Sequence, residues 1–271
     1  MSSKNHIFAS FSRCVSVAFL LMSFAGCASR ENPPLTDSVP TPEAVPVPVI
    51  SIQEDEPESA PDDIGIETNS EETLEPDPEN YFRQEEISDE LFARMQGKSW
   101  PEDCTMERED LRYLSLLYKD ANGNSQKGEL VCNKKIADTL LKIFRQLYDA
   151  DYPIEKMVLI DEYGGDDDAS MSDNNTSCFN YRVVSGTNNL SKHAMGLAVD
   201  LNPRYNPYIH KVNGAESIEP ENGKEYADRS KDFLYKIDKE DLAYKLFTQA
   251  GFTWGGSWKS VKDYQHFQYD K

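Results

Sequence analysis

The chain has 271 residues, of which 38% are hydrophobic and 28% are charged, so it can form one ordinary domain and a small appendage. Its 48 acidic side chains outnumber the 28 basic ones and give a net charge of −20. No basic stripe is present along the sequence, which argues against a nucleic-acid-binding protein.

Residues 1–26 have the composition of a signal peptide. Lys4 and Arg13 precede the apolar run CVSVAFLLMSFAGC, which is too short for a permanent membrane-spanning helix. The run ends in FAGC, which resembles the lipobox of bacterial lipoproteins, although Phe24 replaces the usual leucine. We therefore expect Cys27 to carry a lipid and to anchor the mature chain to a bacterial membrane, outside the cytoplasm. Plain secretion and an uncleaved anchor are the alternatives.

Residues 27–86 have the composition of a disordered acidic tether. From Glu31 to Asn80 there are fifteen acidic residues, ten prolines and no lysine or arginine. Low hydrophobicity and charge repulsion prevent such a segment from burying a core. We expect the folded domain to occupy residues 87–271.

The periodicity of residues 87–271 predicts an α+β domain. Apolar residues from Ile136 to Leu147 recur at helical spacing, and this helix should end before Pro153. KMVLIDEY favours a strand, and EDLAYKLFTQAGF favours a second helix that ends at Gly251. Because helices and strands do not alternate regularly, α+β is favoured over a doubly wound sheet.

Three cysteines remain in an exported chain, so at most one pair can form a disulfide. Cys104 and Cys132 are a candidate pair, and Cys178 would then be free. The favoured alternative is that the thiols are small buried apolar residues.

Two short motifs combine histidine with a carboxylate. In SKHAMGLAVD, the alternation typical of a strand buries Leu197 and Val199 and places Asp200 on the opposite face. His193 then lies on the loop before this strand, and Gly196 allows the chain to turn just before the strand begins.

In DYQHFQYD, the same alternation places His266 and Gln268 on one face, and Asp263 precedes the histidine by three residues. Two imidazoles and a carboxylate suit Zn²⁺, and three protein ligands leave a position open for water. Asp263 is then a candidate for the group that moves the proton of that water.

Together, the two motifs are similar to those of the zinc D-alanyl-D-alanine carboxypeptidase and L-alanyl-D-glutamate peptidase family, the VanY-type peptidases that include phage endolysins. The pattern S-x-H-x-x-G-x-A-x-D, followed later by an acid, two residues and H, is met at every position. The similarity extends from about Leu111 to the end of the chain. It implies a single compact catalytic domain of the hedgehog/D-Ala-D-Ala peptidase type. It also implies one zinc ion held by His193, Asp200 and His266, with Asp263 as the general base, as in the endolysin-like branch.

The resemblance also implies groups that contact the substrate. Arg182 matches an arginine that stabilises the developing oxyanion, and a structural salt bridge is its alternative role. Ser191 is expected to line the substrate pocket, although it could instead form a turn. The tryptophans Trp254 and Trp258 are expected in the core or the pocket wall. Gln268 stands where relatives often have glutamate.

These features predict a zinc-dependent peptidase that cuts peptidoglycan stem peptides at a bond involving a D-amino acid. The bond could be terminal or internal, and we expect the segment from Tyr205 to Asp232 to determine the depth of the pocket. We expect a monomer whose partners are the stem peptides and, through the lipid, a membrane. The alternatives are a zinc-containing lipoprotein that binds the cell wall without catalysis and a purely structural lipoprotein.

Overall fold

The computed structural model describes residues 76–184 and 187–271. The predicted signal peptide, Cys27 and most of the predicted tether lie outside the described residues. Within the described ranges, no helix is both long enough and apolar enough to span a membrane.

The described residues form four α-helices and three small antiparallel sheets, which confirms the predicted α+β class. The helices are α1 (Asp89–Met95), α2 (Lys134–Asp149), α3 (Asp167–Ser172) and α4 (Leu242–Gln249). The strands are β1 (Arg83–Glu85), β2 (Leu111–Lys119), β3 (Ser125–Asn133), β4 (Ala198–Asp200), β5 (Tyr208–Val212), β6 (Ala215–Glu219), β7 (Phe252–Trp254), β8 (Lys262–Asp263) and β9 (His266–Tyr269).

The first sheet has the order β1-β2-β3, and it begins before the predicted domain boundary at residue 87. Strand β1 pairs with β2 through Arg83 and Ser115, so these residues belong to the sheet rather than to a tether. Strands β2 and β3, each nine residues long, form a hairpin. Helix α2 follows β3 directly and packs against β2.

Helix α2 confirms the predicted helical stripe. Its N-cap residue Asn133 accepts a hydrogen bond from the backbone N–H of Lys135, which satisfies one of the free donors at the helix start. The stripe from Ile136 to Leu147 is buried. The helix ends at Asp149, before Pro153, as predicted.

The strand predicted for KMVLIDEY is wrong. Only Lys156 forms an isolated bridge in this segment, and Ile160–Tyr163 form a 3-10 helix. The side chain of Asn175 takes the place of a neighbouring strand at Val158, since its oxygen accepts from the Val158 N–H and its amide donates to the Val158 carbonyl. Periodicity could not indicate this pairing, because the side chain comes from a distant part of the sequence.

The second sheet has the order β4-β9-β7, and it contains both histidine motifs. Phe267 of β9 stacks on Phe247 of α4, with ring centroids 4.4 Å apart. Helix α4 is the second predicted helix, and it is followed by Gly251 at φ +95°. The packed aromatic rings hold β9 firmly against the core.

The third sheet has the order β6-β5-β8. The β5–β6 hairpin turns through Asn213 and Gly214, whose φ angles of 52° and 82° suit a two-residue turn. Strand β5 pairs on its other side with β8, through Tyr208 and Asp263. This sheet therefore connects the hairpin to the second histidine motif.

The three cysteines of the described domain are free. Cys132 and Cys178 are buried, and burial raises the pKa of both thiols. The candidate disulfide between Cys104 and Cys132 is not formed.

Candidate metal centre

Three short elements bring the predicted ligands together. His193 begins a 3-10 turn, Asp200 ends β4, and His266 begins β9. Asp200 and His266 are direct partners in the antiparallel pairing of β4 with β9. Gly196 lies between the turn and β4 at φ +63°, and a Cβ atom there would lie 2.6 Å from the backbone nitrogen of Asn133. Glycine is therefore required at this turn.

The donor atoms of His193, Asp200 and His266 all lie within 4.8 Å of one another. Nε2 of His193 is 3.1 Å from Oδ2 of Asp200, and Nδ1 of His266 is 3.0 Å from Oδ1 of the same carboxylate. The three residues are only 2%, 4% and 7% exposed, respectively. The structure thus gathers in one buried cluster the residues that the two motifs predicted as ligands.

Hydrogen bonds on the far side of each ring fix the orientation of the histidines. Nδ1 of His193 lies 2.6 Å from the carbonyl oxygen of Cys178, and Nε2 of His266 lies 3.1 Å from Oε1 of Gln268. Because both partners are acceptors, each of these ring nitrogens carries the proton. The opposite nitrogens then present lone pairs to the cluster, as metal-binding histidines do. Gln268 therefore holds the ring of His266 in place.

The cluster fits a cation. Nε2 of His193 and Nδ1 of His266 are 3.2 Å apart, and both face the carboxylate of Asp200. With the ring protons directed outward, only lone pairs meet there, and a positive charge is needed to offset their repulsion. Two nitrogens and one carboxylate oxygen suit Zn²⁺.

Asp263 lies beside the cluster on β8. Its Oδ1 atom is buried and has no hydrogen-bond partner among the described residues. Burial raises the pKa of Asp263 to about 7, opposed by the charge of His266 and reinforced by that of Asp200. Gly255 packs against it so closely that a Cβ atom would lie 2.6 Å from the Asp263 carbonyl oxygen. An unpaired carboxylate next to a cation site is suited to accept and return a proton.

Arg182 is directed towards the same cavity but is already engaged by a carboxylate. Nη2 of Arg182 forms a salt bridge with Oδ2 of Asp167 on α3, and both side chains are about one quarter exposed. Nε of Arg182 is buried without a partner among the described residues. Arg182 lies outside any strand. The structure therefore shows a salt bridge at a residue that also borders the candidate site.

A cavity of about 210 Å³ joins these groups. Its lining includes Asp167, Arg182, Ser191, His193, Asp200, Tyr208, Glu219, Trp258, Asp263 and His266. Ser191 lines the cavity and also forms a turn, since its Oγ accepts from the N–H of His193 at 3.2 Å. Trp258 forms part of the wall, whereas Trp254 is buried in the core.

The motifs did not indicate Asp167, Tyr208 and Glu219, which are among the polar residues that line this cavity. Asp167 is the middle residue of the acidic run Asp166–Asp168, which is indistinguishable from a solvated turn in the sequence. Tyr208 and Glu219 lie on the β5–β6 hairpin, within the segment expected to shape the pocket. The Asn213-Gly214 pair between two short alternating segments was the signal that could have located this hairpin.

Comparison with known families supports the interpretation of the motifs. Residues 185–269 match a family model described as D-alanyl-D-alanine carboxypeptidase. The matched segment includes His193, Asp200, Asp263 and His266, and it begins after Arg182. No curated protein and no solved structure shows significant similarity to the chain.

Proposed function

We propose that the chain is a zinc-dependent peptidase of peptidoglycan. The proposal is supported by the match of residues 185–269 to a family model described as D-alanyl-D-alanine carboxypeptidase. It would cut stem peptides at a bond involving a D-amino acid. The observation that carries this proposal is the convergence of two histidines and a carboxylate on one buried point, next to the unpaired carboxylate of Asp263.

His193, Asp200 and His266 would hold the zinc ion through Nε2, a carboxylate oxygen and Nδ1, respectively. Bound zinc supplies Lewis-acid chemistry, which polarises the scissile carbonyl and lowers the pKa of a water molecule. Cys178 and Gln268 keep the two imidazoles in the required tautomers.

Asp263 would move the proton. It takes a proton from the attacking water and donates it to the leaving amine of the substrate. Burial makes its carboxylate a stronger base than a solvated aspartate, which favours the first transfer, and the protonated form then serves the second. General acid–base catalysis of this kind typically contributes about 10²- to 10⁴-fold to the rate.

Arg182 would stabilise negative charge on the substrate oxygen. Its guanidinium group borders the cavity, and its planar set of donors can bind Asp167 while other N–H groups remain free. Ser191 would contribute to the wall of the substrate pocket.

The proposed cellular setting rests on the sequence alone. We propose that the chain is exported, lipidated at Cys27 and held at a bacterial membrane, where peptidoglycan stem peptides are within reach of the domain. We further propose that it acts as a monomer without a nucleic-acid partner.

Incubation of the metal-loaded protein with purified muropeptides, followed by mass spectrometry, tests the proposed function. Loss of one or more amino acids from the stem peptide, abolished by a chelator and restored by zinc, is the expected result. A protein that retains zinc and binds muropeptides but leaves their masses unchanged would instead be the non-catalytic wall-binding lipoprotein.

A further inference from the structure

Three cavity residues lie in one row across the third sheet. Tyr208 of β5 is the direct partner of Glu219 on β6 and of Asp263 on β8. Directly opposed residues in antiparallel strands project from the same face of a sheet. All three side chains line the cavity beside the metal centre, so the row leads away from Asp263 along the cavity wall.

His210 contacts both Tyr208 and Glu219 at the outer end of this row. It follows Tyr208 on the same face of β5, and its ring stacks on that of Tyr208 with centroids 4.4 Å apart and planes inclined by 13°. Nε2 of His210 lies 2.8 Å from Oε1 of Glu219. The two contacts fix the phenol ring and one oxygen of the Glu219 carboxylate, while the other carboxylate oxygen forms no hydrogen bond with the described residues.

Glu219 has no lysine or arginine partner among the described residues, although the cavity contains two such cations. Arg182 pairs with Asp167, and Lys192 pairs with Asp270 at 3.0 Å. The Glu219 side chain is 30% exposed, so it is accessible from the cavity without being fully hydrated. A partly desolvated carboxylate favours a cationic ligand group.

We propose that Glu219 is a specificity-determining residue that binds a free amine of the substrate, and that Tyr208 forms the wall between this amine and the reacting bond. The proposal rests on the proposed function and names a peptide that carries a side-chain ammonium group as the preferred substrate class. Adjacent strands are about 4.8 Å apart, so Glu219 lies about 10 Å from Asp263 along the row. A substrate peptide can cover this distance with about three extended residues, or with one residue and a long side chain that ends in an amine.

A pair of peptides that differ only in the amine tests this assignment. One is a stem peptide with a free side-chain amine, and the other is the same peptide acetylated on that amine. Calorimetric binding to the metal-loaded protein and initial rates of hydrolysis are measured for both. We expect the free amine to improve affinity and kcat/KM by about tenfold or more, as for a charge-assisted hydrogen bond.

Glu219→Gln is the informative variant, because the amide keeps an oxygen for His210 but removes the charge. In this variant, the ratio of kcat/KM for the free-amine peptide to kcat/KM for the acetylated peptide should fall close to one. The change should come from a lower kcat/KM for the free-amine peptide. Glu216→Gln is the matched control, since this exposed residue lies on the same strand and the charge change is identical. The control variant should keep the wild-type preference for the free-amine peptide over the acetylated peptide.

The outcomes separate the two proposals. Equal affinity and equal kcat/KM of the wild-type protein for both peptides would overturn the role of Glu219. If Glu219→Gln lowered affinity and kcat/KM equally for both peptides, the residue would have only a structural role, and the proposal would likewise be overturned. A preference for the amine in binding, without hydrolysis of either peptide, would keep the role of Glu219 and contradict the proposed catalytic function.

Discussion

Gly255→Ala should reduce catalysis without removing the metal. A Cβ atom at this position would lie 2.6 Å from the carbonyl oxygen and 2.7 Å from the Cβ atom of Asp263. Ordinary van der Waals contact begins at about 3.4 Å, so Asp263 would have to move by about 0.8 Å. The obstruction is the backbone of β8, which cannot rotate away as a flexible side chain can. Because a misplacement of about 1 Å can cost about 10²-fold in rate, we expect kcat to fall by that order.

The assay is kcat on soluble muropeptides together with the zinc content of the same preparation. Zinc should stay at the wild-type level, since the three atoms nearest to the added Cβ atom all belong to Asp263 and none to a candidate zinc ligand. Gly128→Ala is the control, because its added Cβ atom would meet the side chain of Met157 at 2.8 Å in a region remote from the cavity. The control should keep wild-type kcat. Unchanged kcat in Gly255→Ala would refute the placement of Asp263 as the base.

Three further predictions concern pH, stability and anchoring. Activity should fall on acidification, because protonation of Asp263 removes the base and protons compete for the histidine ligands; a pH–rate profile that rises towards acid would contradict this. Burial raises the pKa of Asp241 to about 6, above the unfolded value of about 3.9, so wild-type stability should decline by about 1–3 kcal/mol as pH rises through this range. Asp241→Asn keeps the N-cap acceptor of α4 and should lose less stability than the wild type between pH 4.5 and pH 7.5, which thermal unfolding at the two pH values would reveal. Cys27→Ala should move the protein out of the membrane fraction and leave activity on soluble muropeptides unchanged; a variant that stays in that fraction would contradict lipidation.

Local sequence patterns predicted the elements that carry the candidate ligands. Alternation in GLAVDLN and DYQHFQYD correctly placed Asp200 and His266 on strands, since β4 and β9 bury their apolar residues in the core. The apolar stripe of α2 was equally informative. Such patterns succeed where burial of one face determines the local structure.

Contacts between distant segments could not be predicted in the same way. Asp167 and Arg182 meet only because α3 and the chain segment before the metal centre lie side by side. Neither segment has a hydrophobic periodicity that would indicate this contact. The row formed by Glu219, Tyr208 and Asp263 depends on the register of three strands. Register is fixed by turn geometry and packing, which single motifs do not specify.

Zinc content and turnover measured on the same preparations of wild type, His266→Ala and Asp263→Asn test the central claim most directly. The wild type should hold one zinc ion, and His266→Ala should lose both zinc and activity because it removes a ligand. Asp263→Asn should retain zinc and lose turnover by at least about 10²-fold, since the amide cannot accept a proton from water. Loss of zinc from Asp263→Asn, with full specific activity once zinc is restored, would contradict the assignment of Asp263 as the base.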